Sequence, residues 1–248
     1  IDETSPYLDK TMKEKFHSEV ASISYVVKRI KPECLPVTSF LMTRVHNSTE
    51  QDWQKLERLL SYVNGTKEIP LCLEMGNNPV EIVANIDSSH ATHGDYRGHT
   101  GIYISLGKGA IQAISTKQAI NTKSSAETEL VAASDGGTPA INVLNIVKCQ
   151  GIHVKALYIE QDNKSTLSMI QNGRATGPTS RHINIRFFWL NDRVANGEVT
   201  MRYVPTEEMT SDLHRMIMQL PGVFEYISRR IYIIPIAQHI QLCIVYKY

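Results

Sequence analysis

The chain has 248 residues, 42% of them hydrophobic, which is typical of a globular protein with one large domain or two modest ones. Its 26 Lys and Arg residues nearly balance its 25 Asp and Glu residues, so the overall charge does not indicate a polyanion as partner. Any contact with nucleic acid must therefore depend on local groups of basic residues.

The cysteines and the N-terminus indicate the compartment. Four cysteines lie far apart and form no C-x-x-C pair, namely Cys34, Cys72, Cys149 and Cys243. This spacing argues against a disulfide framework or a zinc site and favours a reducing, intracellular setting. The chain begins with polar and acidic residues, so we expect no secretory signal peptide.

Residues 1–75 are predicted to be helical. In KFHSEVASISYVVKRI the apolar residues recur every three or four positions, and Lys31-Pro32 ends the pattern. A second helix is predicted after the capping residues 47–50 and ends at Gly65. Its apolar face consists of Trp53, Leu56, Leu59, Leu60 and Val63. Neither helix carries an obvious reactive group, so both are interpreted as packing elements.

Residues 76–80, GNNPV, form a turn-rich segment that we interpret as a hinge and a domain boundary. The segments VEIVANID, TGIYISLG and AIQAIST then predict three antiparallel strands. A helix is predicted over residues 126–150, interrupted or kinked by Gly136, Gly137 and Pro139. A strand, two helices and a last strand follow in KALYIEQD, STLSMIQN, HINIRFFWLNDRVANG and EVTMRYVP. The order predicts an α/β fold with a mixed sheet flanked by helices.

Four acidic residues stand at predicted strand ends or helix starts: Asp87, Glu129, Asp162 and Asp212. Phosphodiester hydrolysis by two metal ions about 3.5–4 Å apart needs several converging carboxylates, and Mg²⁺ prefers such oxygen ligands. Asp87, at the end of the first strand, fits the position that bridges both ions. Alternatively each acid is an ordinary cap or a solvated helix residue, and Glu127 competes with Glu129 for its position. Spacing alone does not decide between these interpretations.

Several motifs surround these acids. They are, in chain order, IDSSHATHGDYRGHTGIYISLGKGAIQAISTKQ, NTKSSAETELVAAS, IEQDNKSTLSM, SRHINIRFFWLNDRV and YVPTEEMTSD. In this order they resemble the ribonuclease H domain of copia-type retrotransposon polyproteins, over roughly residues 81–212. Several ordered motifs are far more specific than a single one. Residues 10–75 resemble the tail of the reverse transcriptase that precedes this domain in such polyproteins.

The resemblance implies an RNase H-like, mixed five-stranded sheet in residues 81–215, between a helical reverse transcriptase tail (1–75) and an atypical apolar tail (216–248). It implies an endonuclease that hydrolyses the RNA strand of RNA–DNA hybrids with Mg²⁺, or with Mn²⁺ as a substitute. Its metal-binding and catalytic residues would be Asp87, Glu129, Asp162 and Asp212. The expected partners are the hybrid and the upstream polymerase portion, in the cytoplasm, a virus-like particle or the nucleus.

Hybrids are recognised mainly through backbone shape and 2′-hydroxyls. Candidate substrate contacts are Ser88, Ser89, Lys117, Asn163, Ser165, Arg181 and His182. The small polar residues beside Asp87 and Asp162 can instead form caps and turns, and His182 assists product release or packs its helix. A zinc site at His90, His93 and His99 is disfavoured because this loop offers no further ligand set.

The sequence after Asp212 departs from the family. Where copia-type members have a segment resembling I-L-T-K-P-L, this chain reads LHRMIMQLPGVFEYISRR. A catalytically degenerate remnant or an accessory nucleic-acid-binding module is therefore the alternative function. A transposase- or integrase-type nuclease is disfavoured because its D-D-E order places the glutamate last, and without a Y-x-D-D motif we expect no DNA synthesis. The run IYIIPIAQHIQLCIVYKY is interrupted by Pro235 and polar residues, so we expect an apolar tail and no membrane partner.

Overall fold

The computed structural model describes residues 4–172, 181–205, 209 and 242–243. The helices are α1 (Lys10–Ile30), a 3-10 turn (Pro32–Cys34), α2 (Leu35–Arg44), α3 (Glu50–Gly65), α4 (Ser125–Cys149), α5 (Lys164–Asn172) and α6 (Arg181–Ala195). The strands are β1 (Cys72–Met75), β2 (Val80–Ser89), β3 (His99–Ser105), β4 (Gly107–Lys108), β5 (Gln112–Lys117), β6 (Val154–Gln161), β7 (Thr200–Tyr203) and β8 (Leu242–Cys243). Among these helices, none is both long and apolar enough to cross a membrane.

The main sheet has five strands in the order β5-β3-β2-β6-β7. Strands β2, β3 and β5 form an antiparallel meander. After α4 the chain returns as β6, parallel to β2, and after α5 and α6 it returns as β7, parallel to β6. The predicted mixed five-stranded sheet with helical crossovers is therefore confirmed.

The main hydrophobic core lies between this sheet and α4. Ile82, Ala84 and Ile86 alternate along β2 and are fully buried, as expected for one face of a strand. They pack with Leu157 and Ile159 of β6 in a cluster that also contains apolar residues of α4, α5 and α6. Helix α4 therefore lies against the two central strands, and this places its first turns beside the carboxyl ends of those strands.

Helix α4 is continuous over its 25 residues, with Pro139 inside it, so the predicted break was wrong, while the predicted kink stays a prediction. A side-chain carbon at Gly136 would lie 2.4 Å from Ile86 Cδ1, and one at Gly137 would lie 3.0 Å from Trp189 Cζ3. The glycines therefore let α4 pack closely on β2 and α6. They serve packing rather than a break in the helix.

The N-terminal helices have a second core of their own, in which Phe16, Val20 and Val27 of α1 pack with Leu56 and Leu59 of α3. Helix α1 ends at Ile30, as Lys31-Pro32 predicts. The buried Lys31 ammonium donates to the carbonyl oxygens of Thr66 (2.7 Å) and Ile69 (3.2 Å), which ties the ends of α1 and α3 together. Burial lowers the pKa of Lys31.

The prediction of a wholly helical segment 1–75 was wrong at its end, where Cys72–Met75 form β1. This strand pairs with β4 through Glu74 and Met75, and with β8 through Cys72 and Leu73. Its partners are distant in sequence, so no local pattern revealed it. Segment 76–80 runs directly into β2, which begins at Val80.

Helix α3 begins with a capping box, and we expect its loss to weaken the N-terminal unit. Thr49 Oγ1 accepts from the backbone N–H of Asp52, and Asp52 Oδ2 accepts from the backbone N–H of Thr49. Thr49→Ala is expected to lower the free energy of unfolding by about 1 kcal/mol, because the backbone N–H of Asp52 then loses its side-chain acceptor. Chemical denaturation measures this, and Thr49→Ser, which keeps the hydroxyl, should retain most of the stability. Equal losses in both variants would contradict the capping role.

Candidate metal centre

Three of the four predicted carboxylates meet at one edge of the main sheet. Asp87 is fully buried on β2, opposite Gly101 of β3. Glu129 lies in the second turn of α4 and is also buried, and Asp162 directly follows β6. Each offers a carboxylate oxygen, and these oxygens lie within 4.8 Å of one another. Asp212, the fourth predicted ligand, lies outside the described residues.

The convergence follows from the topology. Strands β2 and β6 are adjacent and parallel, so their carboxyl ends lie at the same edge of the sheet. Asp87 and Asp162 stand at these two ends, and α4, which leads from β5 into β6, begins above the same edge with Glu129 in its second turn. Residues far apart in the chain thus supply one cluster.

The start of α4 distinguishes Glu129 from Glu127. Ser124 Oγ accepts from the backbone N–H of Glu127 at 3.3 Å, and Glu127 Oε2 accepts from the backbone N–H of Lys123 at 2.8 Å. Glu127 is therefore occupied in capping the helix, as expected for the third residue after a serine cap. Glu129 lies two residues further along α4 and belongs to the carboxylate cluster.

The start of α5 distinguishes Asp162 from its neighbour in the same way. Asn163 Oδ1 accepts from the backbone N–H of Thr166 at 3.1 Å, so Asn163 caps this helix. The capping role that the alternative interpretation gave to Asp162 is thus performed by Asn163. The side chain of Asp162 contributes to the cluster instead.

Buried hydrogen bonds orient two of the acids. The backbone N–H of Ser88 donates to Asp87 Oδ1 at 2.7 Å. The amide of Gln161, which is fully buried, donates to Glu129 Oε2 at 3.2 Å and to the carbonyl oxygen of Ile86 at 3.4 Å. Sequence reasoning missed Gln161, although its place immediately before Asp162 was a usable signal.

An open cleft of about 560 Å³ lies over the cluster. It is lined by Ser88, Ser89, His90, Ser125, Glu129, Asp162, Asn163, Lys164 and Tyr203. Ser88, Ser89 and Asn163 were predicted as substrate contacts, whereas His90, Ser125, Lys164 and Tyr203 were not. The Lys164 ammonium lies 4.7 Å from the centre of the Tyr203 ring, so one rim of the cleft combines a positive charge with an aromatic side chain.

Two of the other predicted contacts, Lys117 and Ser165, do not line this cleft. Lys117, on β5, forms an ion pair with Asp95 at 2.6 Å, and this contact lowers the pKa of Asp95. Ser165 is exposed on α5 but does not line the cleft. The side chains of Arg181 and His182 lie outside what the structure describes, although both residues belong to α6.

The loop histidines bond to other side chains. His93 Nε2 lies 3.1 Å from His99 Nδ1, and the fully buried His99 places its Nε2 2.7 Å from Ser115 Oγ. Burial, assisted by the charge of Lys117, lowers the pKa of His93. Within the described ranges, the one group of three or more potential metal ligands is the carboxylate cluster.

The cluster fits a hard divalent cation. Three carboxylates are the ligand type that Mg²⁺ and Mn²⁺ prefer. Two carboxylates at roughly 4–5 Å repel each other by roughly 3–4 kcal/mol at an effective dielectric constant of about 20. A bound cation would attract each carboxylate and so offset this repulsion.

The sequence has detectable relatives among known proteins, although no protein-family model matches the chain. It is 24% identical over 202 residues to the retrovirus-related Pol polyprotein from transposon TNT 1-94 of Nicotiana tabacum, covering 81% of this chain and 15% of that protein. It is 23% identical over 227 residues to the Pol polyprotein from transposon RE2 of Arabidopsis thaliana, covering 90% and 15%. The chain is similar to copia-type Pol polyproteins. The predicted resemblance is thereby confirmed.

The chain spans about 15% of the length of these Pol polyproteins. Among solved structures, LC11-RNase H1 isolated from compost matches with a TM-score of 0.41 at 12% identity, over 54% of this chain and 91% of that chain. The foamy viral protease-reverse transcriptase in complex with RNA/DNA hybrid matches with a TM-score of 0.44 at 15% identity, over 80% and 27%. The strand order and crossovers of the sheet give the RNase H-like fold that the copia-type resemblance implies.

Proposed function

We propose that this chain is the ribonuclease H portion of a retrotransposon Pol polyprotein and hydrolyses the RNA strand of RNA–DNA hybrids. The observation that carries the proposal is the convergence of Asp87, Glu129 and Asp162 beneath an open cleft. The similarity to Pol polyproteins supports a nucleic-acid substrate. The proposed cofactor is Mg²⁺, with Mn²⁺ as a substitute.

These three residues would hold the cation, and Asp212 is the proposed fourth ligand. A divalent cation bound there supplies an activated water and stabilises the leaving oxygen in phosphodiester hydrolysis. The chain's own contribution is placement, since Ser88 N–H fixes the Asp87 carboxylate and Gln161 fixes that of Glu129. Ligands held by buried hydrogen bonds keep their geometry when the substrate binds.

The cleft offers groups that suit a sugar–phosphate backbone. Lys164 provides a positive charge for a phosphate, and the hydroxyl of Ser89 and the amide of Asn163 provide hydrogen bonds. Ser88 was also predicted as a contact, but its hydroxyl oxygen is buried. Lys117, Ser165, Arg181 and His182 remain proposed contacts to more distant parts of the hybrid. Because the net charge of the chain is only +1, binding should depend on these local groups.

Residues 1–75 are proposed to be the end of the preceding reverse transcriptase, and residues 81–215 the RNase H domain. The upstream polymerase portion is then a natural partner, in the cytoplasm, a virus-like particle or the nucleus. The alternative function is a catalytically degenerate remnant or an accessory nucleic-acid-binding module. The unusual sequence after Asp212 favours this alternative.

Incubation of the full chain with an end-labelled RNA–DNA hybrid tests the proposal. With Mg²⁺ or Mn²⁺ we expect cleavage of the RNA strand alone, and EDTA should stop it because the carboxylates then lack their cation. Duplex DNA of the same sequence is the control substrate and should remain intact. A folded chain that binds the hybrid but leaves it uncleaved with either ion would contradict the proposal and support the accessory module.

A further inference from the structure

A histidine at the rim of the cleft is held by two buried threonines. His90 follows β2, is an exposed residue and lines the cleft. Its Nδ1 atom lies 2.9 Å from Thr128 Oγ1 and 3.3 Å from Thr122 Oγ1, and these two hydroxyl oxygens lie 2.6 Å apart. Thr128 belongs to the first turns of α4, next to Glu129. The imidazole is therefore anchored to the element that carries one of the clustered carboxylates.

The hydrogens of this network can be counted. The Thr128 hydroxyl has one hydrogen and donates it to the carbonyl oxygen of Ser124 at 3.0 Å. The bond between the two threonines therefore needs the hydrogen of Thr122. Neither threonine then has a hydrogen left for His90. The contact between His90 Nδ1 and Thr128 Oγ1 is therefore a hydrogen bond only if Nδ1 carries a proton and donates it to Thr128. In the neutral imidazole, Nε2 then carries a lone pair and acts as an acceptor.

This acceptor is available to a ligand. Within the described part of the chain, the hydrogen bonds of His90 all involve Nδ1. An imidazole nitrogen that accepts at the cleft rim complements a hydroxyl, which can donate a hydrogen, better than an ionised phosphate, which cannot. The sugars of an RNA strand carry such a donor at the 2′ position, and the sugars of DNA do not.

We propose that His90 Nε2 accepts a hydrogen bond from one 2′-hydroxyl of the RNA strand and so contributes to the choice of RNA over DNA. Thr122 and Thr128 are positioning residues, since they hold the tautomer and the ring orientation without contacting the substrate. The inference rests on the proposed function, because it assumes that the RNA strand of a hybrid occupies this cleft. It adds a residue that determines specificity.

Binding without cleavage tests the contact. The full chain is titrated in EDTA against fluorescent hybrids in which single ribonucleotides are replaced, one position at a time, by 2′-deoxynucleotides. For wild type we expect one position at which the replacement weakens binding roughly 3- to 10-fold, the usual size of one lost hydrogen bond. His90→Phe should bind the all-ribose hybrid more weakly by a similar factor and should be indifferent to the replacement at that position.

Matched variants separate this role from a structural one. His17→Phe changes an exposed histidine on α1 and should retain the wild-type pattern. Thr128→Val keeps the side-chain shape but removes the anchor, so it should reduce the discrimination while His90 is still present. An equal effect of the deoxy replacement in wild type and His90→Phe would overturn the proposal.

The tautomer provides a readout that is independent of the hybrid. Nitrogen-15 chemical shifts of His90 at alkaline pH should show a protonated Nδ1 and a bare Nε2, and Thr128→Val should weaken this preference. A proton found on Nε2 would overturn the proposal. Failure of the proposed function would appear separately, as an uncleaved hybrid in Mg²⁺, whereas the binding pattern in EDTA reports His90 alone.

Discussion

If the proposed function is right, Asp87→Asn is expected to reduce hydrolysis of the hybrid by roughly a factor of 10³ or more, because a fully buried member of the carboxylate cluster loses its charge. The amide keeps the shape of the carboxylate, so the sheet should remain intact. Cleavage rates with saturating Mg²⁺ measure the effect. We expect the same direction of change for Glu129→Gln, whose carboxylate shares the cluster.

Stability measurements distinguish this outcome from misfolding. Without divalent cations, Asp87→Asn should unfold at the same or a higher denaturant concentration than wild type, since the substitution relieves repulsion among three acids within 4.8 Å. Saturating Mg²⁺ should stabilise wild type, by about 2.7 kcal/mol at a hundredfold excess over its Kd, and should stabilise the variant much less. Asp192→Asn, on the exposed side of α6, is the matched control and should retain both activity and the Mg²⁺ response. An unchanged Mg²⁺ response in Asp87→Asn would contradict its role as a ligand.

Much of this architecture could be predicted because its signals are local. The apolar repeat of α1 and the capping residues before α3 are contained within single segments, and both helices formed as expected. The three acids that meet were found because they stand at strand ends or helix starts within a set of ordered family motifs. Asp212 could be predicted by the same motifs, but it lies outside the described residues.

The remaining features depend on contacts between distant segments. Strand β1 escaped prediction because it is defined by pairing with β4, some thirty residues later. Helix α4 was expected to break or kink because the rule for glycine and proline is local, whereas Gly136 is explained by Ile86 on another element. The cleft residues Lys164 and Tyr203 come from α5 and β7, and no pattern in either segment indicates that they face the same space.

Gly136→Val is expected to destabilise the main core strongly. Even the first added carbon would lie 2.4 Å from Ile86 Cδ1, 3.0 Å from Ile86 Cγ1 and 3.3 Å from Ile102 Cδ1, all within the main core. A β-branched side chain therefore forces α4 away from β2 or forces the isoleucines out of their packing. We expect the free energy of unfolding to fall by about 3 kcal/mol, at the upper end of overpacking costs, and chemical denaturation measures it.

The same substitution should also affect the candidate metal centre, because Ile86 is the neighbour of Asp87 and Gly136 lies two turns along α4 from Glu129. A displacement of α4 changes the separation of these two carboxylates, so Mg²⁺ should stabilise Gly136→Val less than wild type. Gly65→Val is the matched control, since a side-chain carbon there meets no atom within 4 Å at the end of α3, and we expect a change within about 0.5 kcal/mol. Equal stability of the two variants would show that the close approach of α4 and β2 is not needed. If Gly136→Val lost stability but kept the full Mg²⁺ response, the packing of α4 would not set the geometry of the carboxylates.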